Sequence, residues 1–195
     1  MQPAVMLRVA LALAITGLAT PALAQPAAAA PAAQCNYQSV ESPPGRDWWA
    51  QQRWRYPSDA AAQAAYAALT NGRSPWPDWF VGAQSTLAPG TRFQMAMSPG
   101  QAENQPGGFG TFDNIRTVAD VRDYLAVLVE WKPAVDRVVT FEVTHALPVQ
   151  TGPVGPQVDP RLCRLLPGRW SQFQLLVAPA DRMWYLRVVE VRPIP

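Results

Sequence analysis

The chain has 195 residues, 49% hydrophobic and 15% charged, with 21 prolines and 12 glycines, a length that holds one globular domain with tails and excludes a large multidomain assembly. The 16 basic residues against 14 acidic ones leave +2, and no basic run occurs, so phosphate-backbone attraction cannot dominate and nucleic acid is not an expected partner. With 1 His and 2 Cys, a side-chain zinc site would have to lean on carboxylates; no metal is expected, and Lys132 is the single candidate for lysine chemistry.

Residues 1–24 carry Arg8, an apolar run from Val9 to Leu18 and then Ala22-Leu23-Ala24, the pattern of a signal peptide cleaved before Gln25. The run is too short for a confident membrane span. The expectation is a secreted or periplasmic protein with no membrane contact after cleavage. In that compartment Cys35 and Cys163 read as a disulfide, and a nucleophilic Cys163 working with His145 would need a reduced thiol. Residues 25–34 are Ala/Pro-rich and read as a linker, leaving 35–195 as a single domain with a Trp-rich N-terminal extension.

From Cys35 to Trp79 the chain holds Trp48, Trp49, Trp54, Trp76 and Trp79, which read either as core filling or as a binding surface. The Ala-rich segment from Asp59 to Leu69 predicts a helix, with Ser58 as its cap and Asn71-Gly72 as its end. Thr91–Met97 predicts a strand. Val118, Val121, Leu125 and Leu128 recur at helical spacing behind a Thr117/Asp120 capping box, predicting a second helix that runs until Trp131-Lys132-Pro133 stops it. Three more strands are expected over 137–147, 171–177 and 184–191, the first placing His145 on the apolar face with Val139, Phe141 and Val143. Two helices near the N-terminal half and a strand-rich remainder predict an α+β fold on a mixed or antiparallel sheet.

Few residue patterns point to chemistry on their own. A lone His145 among apolar neighbours reads as a core histidine better than as a general base. No Gly-x-Ser-x-Gly elbow exists, and the scattered carboxylates do not declare a glycosidase pair. The stretch 98–114 carries Gly100, Gly107, Gly108 and Gly110 but meets neither nucleotide fingerprint. Its Phe109 and Phe112, following the strand that bears Arg92, make it a candidate clamp for a flat ring on a charged ligand.

The order of several short motifs resembles the secreted NAD glycohydrolase family typified by tuberculosis necrotizing toxin. These are Thr91-Arg92-Phe93, Gly110-Thr111-Phe112, the run from Phe141 through Leu147-Pro148-Val149 into a turn at Gly152-Pro153-Val154-Gly155-Pro156, and Gly168 ahead of Gln172-Phe173. The resemblance implies an ADP-ribosyltransferase-like fold that cleaves the nicotinamide–ribose bond of NAD or NADP, with the dinucleotide as substrate and no cofactor. It also implies a cognate inhibitor protein as a partner. Nicotinamide is cationic in the substrate, so its departure needs no general acid. What is needed is a grip on the ligand and an environment that tolerates an oxocarbenium-like transition state. Carried over residue by residue, Arg92 and Gln172 are the catalytic candidates, Arg92 holding the diphosphate and Gln172 orienting the ribose or the attacking water. Phe93, Phe112 and Gly110 are the ligand-binding candidates. Two departures imply a remodelled pocket: Arg169-Trp170-Ser171 stands where the family has glycines, and Gln94 follows Arg92-Phe93 where it has glycine. The competing class is a non-catalytic exported module whose tryptophans bind cell-wall sugar or a protein.

Overall fold

The computed structural model describes residues 35–72 and 74–195; the signal peptide expected over 1–24 and the linker expected over 25–34 lie outside the described residues. The first helix, α1 (Pro43–Gln52), was not expected from sequence. Ser42 Oγ accepts the Gly45 N–H at 3.1 Å, and prolines are harmless in a first turn because its N–H groups have no intrahelical partner. A 3-10 turn, Arg53–Arg55, leads to α2 (Asp59–Asn71), which Ser58 caps through the Ala61 N–H as the sequence predicts.

The second predicted helix starts as expected and stops early. Both halves of the Thr117/Asp120 capping box form, but α3 is only Val118–Asp123. The buried Arg122 guanidinium turns back to donate to the carbonyls of Val127, Leu128, Lys132 and Pro133. Ala126 sits at φ 49°, a left-handed conformation that costs an L-residue and persists where its surroundings over-determine it. The apolar spacing beyond Asp123 is therefore packing of an irregular segment.

Every strand pairing is antiparallel. β1 (Ala83–Leu87), β5 (Leu147–Pro153), β8 (Ser171–Leu175) and β3 (Phe109–Gly110) form one sheet in the order β1-β5-β8-β3. β2 (Arg92–Met97), β4 (Arg137–Val143) and β9 (Leu186–Pro193) form a second in the order β2-β4-β9, and β6 (Gln157–Asp159) with β7 (Arg164–Leu166) makes a hairpin. The Gln94–Thr111 bridge joins β2 to the residue after β3. The run that leads into the turn expected at Gly152–Pro156 is strand β5, which takes in Gly152 and Pro153 of that turn and whose prolines, Pro148 and Pro153, sit near its two ends. The four-residue helix α4 (Arg182–Tyr185) replaces the start of the last expected strand.

The main core lies between the two sheets and includes Phe93, Met95, Phe141, Leu147, Val149, Phe173 and Leu186. A second cluster of Trp48, Ala62, Tyr66, Val158 and Leu165 sets α1 and α2 on the β6–β7 hairpin, where the Cys35–Cys163 disulfide closes a separation of 128 residues. The expected α+β class and that disulfide are both present. Residues Gln34–Pro195 form one compact unit, and no helix among the described residues is long and apolar enough to cross a membrane. His145 departs from expectation. β4 ends at Val143, and the exposed imidazole stacks on Trp184 at 4.0 Å with Nδ1 2.9 Å from the Trp184 carbonyl.

Candidate functional site

Alternation along β2 sends Phe93, Met95 and Met97 into the core and turns Gln94 and Ala96 to the other face. The same alternation on β8 buries Phe173 and Leu175 in the core and leaves Gln172 opposite. On that side a cavity of about 430 Å³ opens, within the size range of small-molecule sites. Its walls are Gln94–Ala96 of β2, the Gly107–Thr111 run, Leu125–Val127 after α3, Trp131-Lys132, Val154-Gly155, Gln157, Gln172 and Pro75. The irregular chain that replaces the expected long helix thus supplies one wall.

Three glutamine side chains line the cavity, and each is held by backbone. Gln172 Nε2 donates to the Pro75 carbonyl at 2.5 Å, and Gln157 Nε2 donates to the Ser74 carbonyl at 2.7 Å. Gln94 Oε1 accepts the Ile115 N–H at 2.8 Å. Gln172 is buried, and no described residue donates to its Oε1. With Nε2 spent on Pro75, the carbonyl oxygen is the end of this amide that is available to a ligand. Phe109 and Trp131, both half-exposed, are among the lining residues. Among the described residues Lys132 is the only charged side chain on the walls, and none of the described carboxylates lines them.

The sequence candidates separate. Gln172 and Gly110 line the cavity; Arg92, Phe93 and Phe112 do not. Arg92 lies on the same face of β2 as Gln94, two residues nearer the strand's start, with Nε donating to Glu142 Oε2 at 2.8 Å. Glu142 also receives Arg187, and hydrogen bonds from Arg92 and then Arg187 hold its carboxyl below the usual glutamate range. Phe93 is core, 4.9 Å edge-on to Phe173 and stacked on Phe141. Phe112 covers Phe173 from outside at 4.9 Å. Gly110 is required by packing: a Cβ there would stand 2.6 Å from Phe173 Cζ and 2.8 Å from Phe93 Cδ2.

Arg169 and Trp170, the bulky departures before Gln172, leave the cavity open. Gly168 at φ 71° and Arg169 at φ 96° turn the chain so that Trp170 stacks on Tyr124 at 5.0 Å and Arg169 reaches Gln51. The Arg169 N–H donates to the Val154 carbonyl at 3.1 Å. Both side chains are drawn away while the backbone carries Gln172 to its place. Gln157 and Lys132 were not singled out for the site, because hairpin β6–β7 and the turn after α3 reach it only through tertiary folding. Gln94 could have been found from alternation with the buried Phe93 and Met95.

Among the tryptophans, Trp48 is buried and Trp49 half-buried, while Trp54 and Trp79 are 79% and 61% exposed. Among the described residues no group of three His, Cys, Asp or Glu side chains is placed to hold a metal ion.

No protein-family model matches this chain, and no curated protein does. Solved structures do. The structure of Tne2 in complex with Tni2 aligns at 26% identity and a TM-score of 0.51, covering 62% of this chain and 99% of that one. Rhs1-CT in complex with its cognate immunity protein RhsI1 aligns at 21% identity and a TM-score of 0.41, over 57% of this chain and 79% of that one. Tse6 in complex with Tsi6 aligns at 15% and 0.39, over 80% of this chain and 97% of that one. The chain therefore has an α+β fold similar to that of Tne2, a domain solved with a second protein bound to it.

Proposed function

We propose that this chain is an exported NAD(P) glycohydrolase, acting as a toxin, and that the cavity around Gln172 is its active site. The supporting observation is the anchored amide: Pro75 fixes Gln172 Nε2, which presents the carbonyl dipole to a ligand from a wall that none of the described carboxylates lines. In the reaction the C1′–N bond breaks with its electron pair passing to the nicotinamide nitrogen, so the leaving ring becomes neutral as positive charge develops on the ribose. A fixed carbonyl oxygen stabilises that charge and orients the attacking water, at no reorganisation cost during the step. The water oxygen bonds to C1′ and its proton leaves to solvent. Phe109 and Trp131 offer flat faces for the rings. Arg92, with only its Nε engaged by Glu142, stands outside the cavity on the Gln94 face of β2 as a contact for the part of the dinucleotide that extends beyond it. Tne2 is seen bound to Tni2, which supports a protein inhibitor as a partner for this chain.

The test is release of nicotinamide from NAD and NADP by the disulfide-bonded full chain. Gln172→Ala is expected to lower kcat about 10²-fold or more, the usual loss on removing one preorganised dipole, and Arg92→Ala to act mainly on KM. An unaltered kcat in folded Gln172→Ala would remove this residue from the reaction. No turnover of either dinucleotide by the wild type would favour the second reading, a binding module, which the exposure of Trp54 and Trp79 supports.

A further inference from the structure

Among the described residues Lys132 is the one cation on the cavity wall, and its hydrogen-bond partners carry no counter-charge. Nζ donates to two neutral oxygens, Ser98 Oγ at 3.1 Å and Gln101 Oε1 at 3.3 Å, leaving one of its three N–H groups unassigned. Two further cations are close enough to act on it. Burial first, then Arg122 and Arg137, push the Lys132 ammonium below the usual lysine range. Two carboxylates of this region are committed: Asp136 pairs with Arg137 at 2.7 Å, and the fully buried Asp159 accepts the N–H groups of Val129, Arg161 and Leu162. Arg122 has only carbonyls as hydrogen-bond partners. Among the described groups that act on Lys132, the cations Arg122 and Arg137 outnumber the one carboxylate, Asp136, and no described acidic side chain lines the cavity, a positive setting in which burying a charge without a close counter-ion is costly.

We propose that Lys132 is the cavity's phosphate-recognition group: an anionic phosphoryl oxygen of the ligand takes the place of the missing counter-charge. The inference deepens the nicotinamide-dinucleotide reading and rests on it for the ligand class. It places a phosphoryl group near the Met97 end of β2, where Ser98 follows, whereas Arg92 lies at the strand's other end. The Ser98–Gln101 turn fixes the lysine rather than neutralising it. Arg137 secures the same turn through the carbonyls of Ser98 and Gln101, so the ammonium is positioned before ligand arrives.

Calorimetric titration of the full chain with ADP-ribose, 2′-phospho-ADP-ribose and adenosine tests this without requiring turnover. Lys132→Met is expected to weaken ADP-ribose at least tenfold and leave adenosine within twofold, with Lys132→Arg restoring most of the loss. If Lys132→Met instead removes only the extra affinity of the 2′-phospho compound, the lysine reads that phosphate and not the diphosphate. Equal affinity of wild type and Lys132→Met for both phosphorylated ligands, or no binding of either by the wild type, overturns the proposal. Intact phosphate-dependent binding without nicotinamide release would mark failure of the hydrolase reading alone. Replacing an uncompensated ammonium by methionine should leave the melting temperature equal or higher, so a loss of affinity would not reflect unfolding.

Discussion

Between the two sheets, Phe93 lies 5.7 Å from Phe141 and 4.9 Å from Phe173, ring to ring, inside a continuous cluster drawn from six strands. Between α1, α2 and the β6–β7 hairpin the buried cluster is smaller, built on Trp48, Ala62, Tyr66, Val158 and Leu165, and supplemented by polar ties and one covalent bond. The first region is held by area and close packing, which no single polar contact controls. The second buries too little to dispense with its ties, among them Tyr66 Oη on the Tyr37 carbonyl at 2.6 Å and Tyr56 Oη on Asp78 at 2.5 Å. The contrast bears on function because the cavity borrows from both: Gln94 and Gln172 come from the sheets, and the Ser74–Pro75 segment that orients Gln172 and Gln157 follows the helical layer.

The largest effect should come from the sheet core. Phe173→Ala is expected to cost about 3–5 kcal/mol in denaturant unfolding, since its ring touches Phe93 and Phe112 and fills the space Gly110 leaves; a loss under 1 kcal/mol would mean that core is not what holds the sheets. Removing the disulfide as Cys35→Ala/Cys163→Ala should cost about 2–5 kcal/mol. Here the sharper readout is local: amide exchange should accelerate in α2 well before β4, and uniform acceleration would show that the two regions unfold as one. The smallest effect is alkaline. Burial and then the hydrogen bond to Asp78 raise the Tyr56 phenol from 10.0 to about 12. The unfolded chain loses this proton first, so the contribution is complete below pH 10 and fades as the pH climbs toward 12. Tyr56→Phe should flatten that part of the stability profile, and an unchanged slope would assign it to other groups.

How much of this was legible in the sequence depended on the range of the deciding contact. The caps of α2 and α3 were readable because Ser58, Thr117 and Asp120 act within one turn. The end of α3 was not, since it is imposed by Arg122 reaching four carbonyls as far as Pro133. β5 was hidden by Pro148 and Pro153, residues that argue against a strand flanked on both sides, yet they fall where the ladder starts and finishes. In the site, Gln172 could be picked out by its place after Gly168, but its burial and its bond to Pro75 depend on a segment 97 residues away. Arg92 and Gln172 were both catalytic candidates; strand alternation alone could not show that Arg92 would pair with Glu142 while Gln172 lines the cavity.

The bond between Cys35 and Cys163 also changes how the molecule carries a load. Tension applied between a point ahead of Cys35 and the C-terminus passes through the two sulfurs and then along 164–195, bypassing residues 36–162. While the bond is intact, pulling on the two ends can strip β7, β8 and β9, whereas the intervening chain, including both N-terminal helices, β2 and Lys132, stays inside a slack covalent loop.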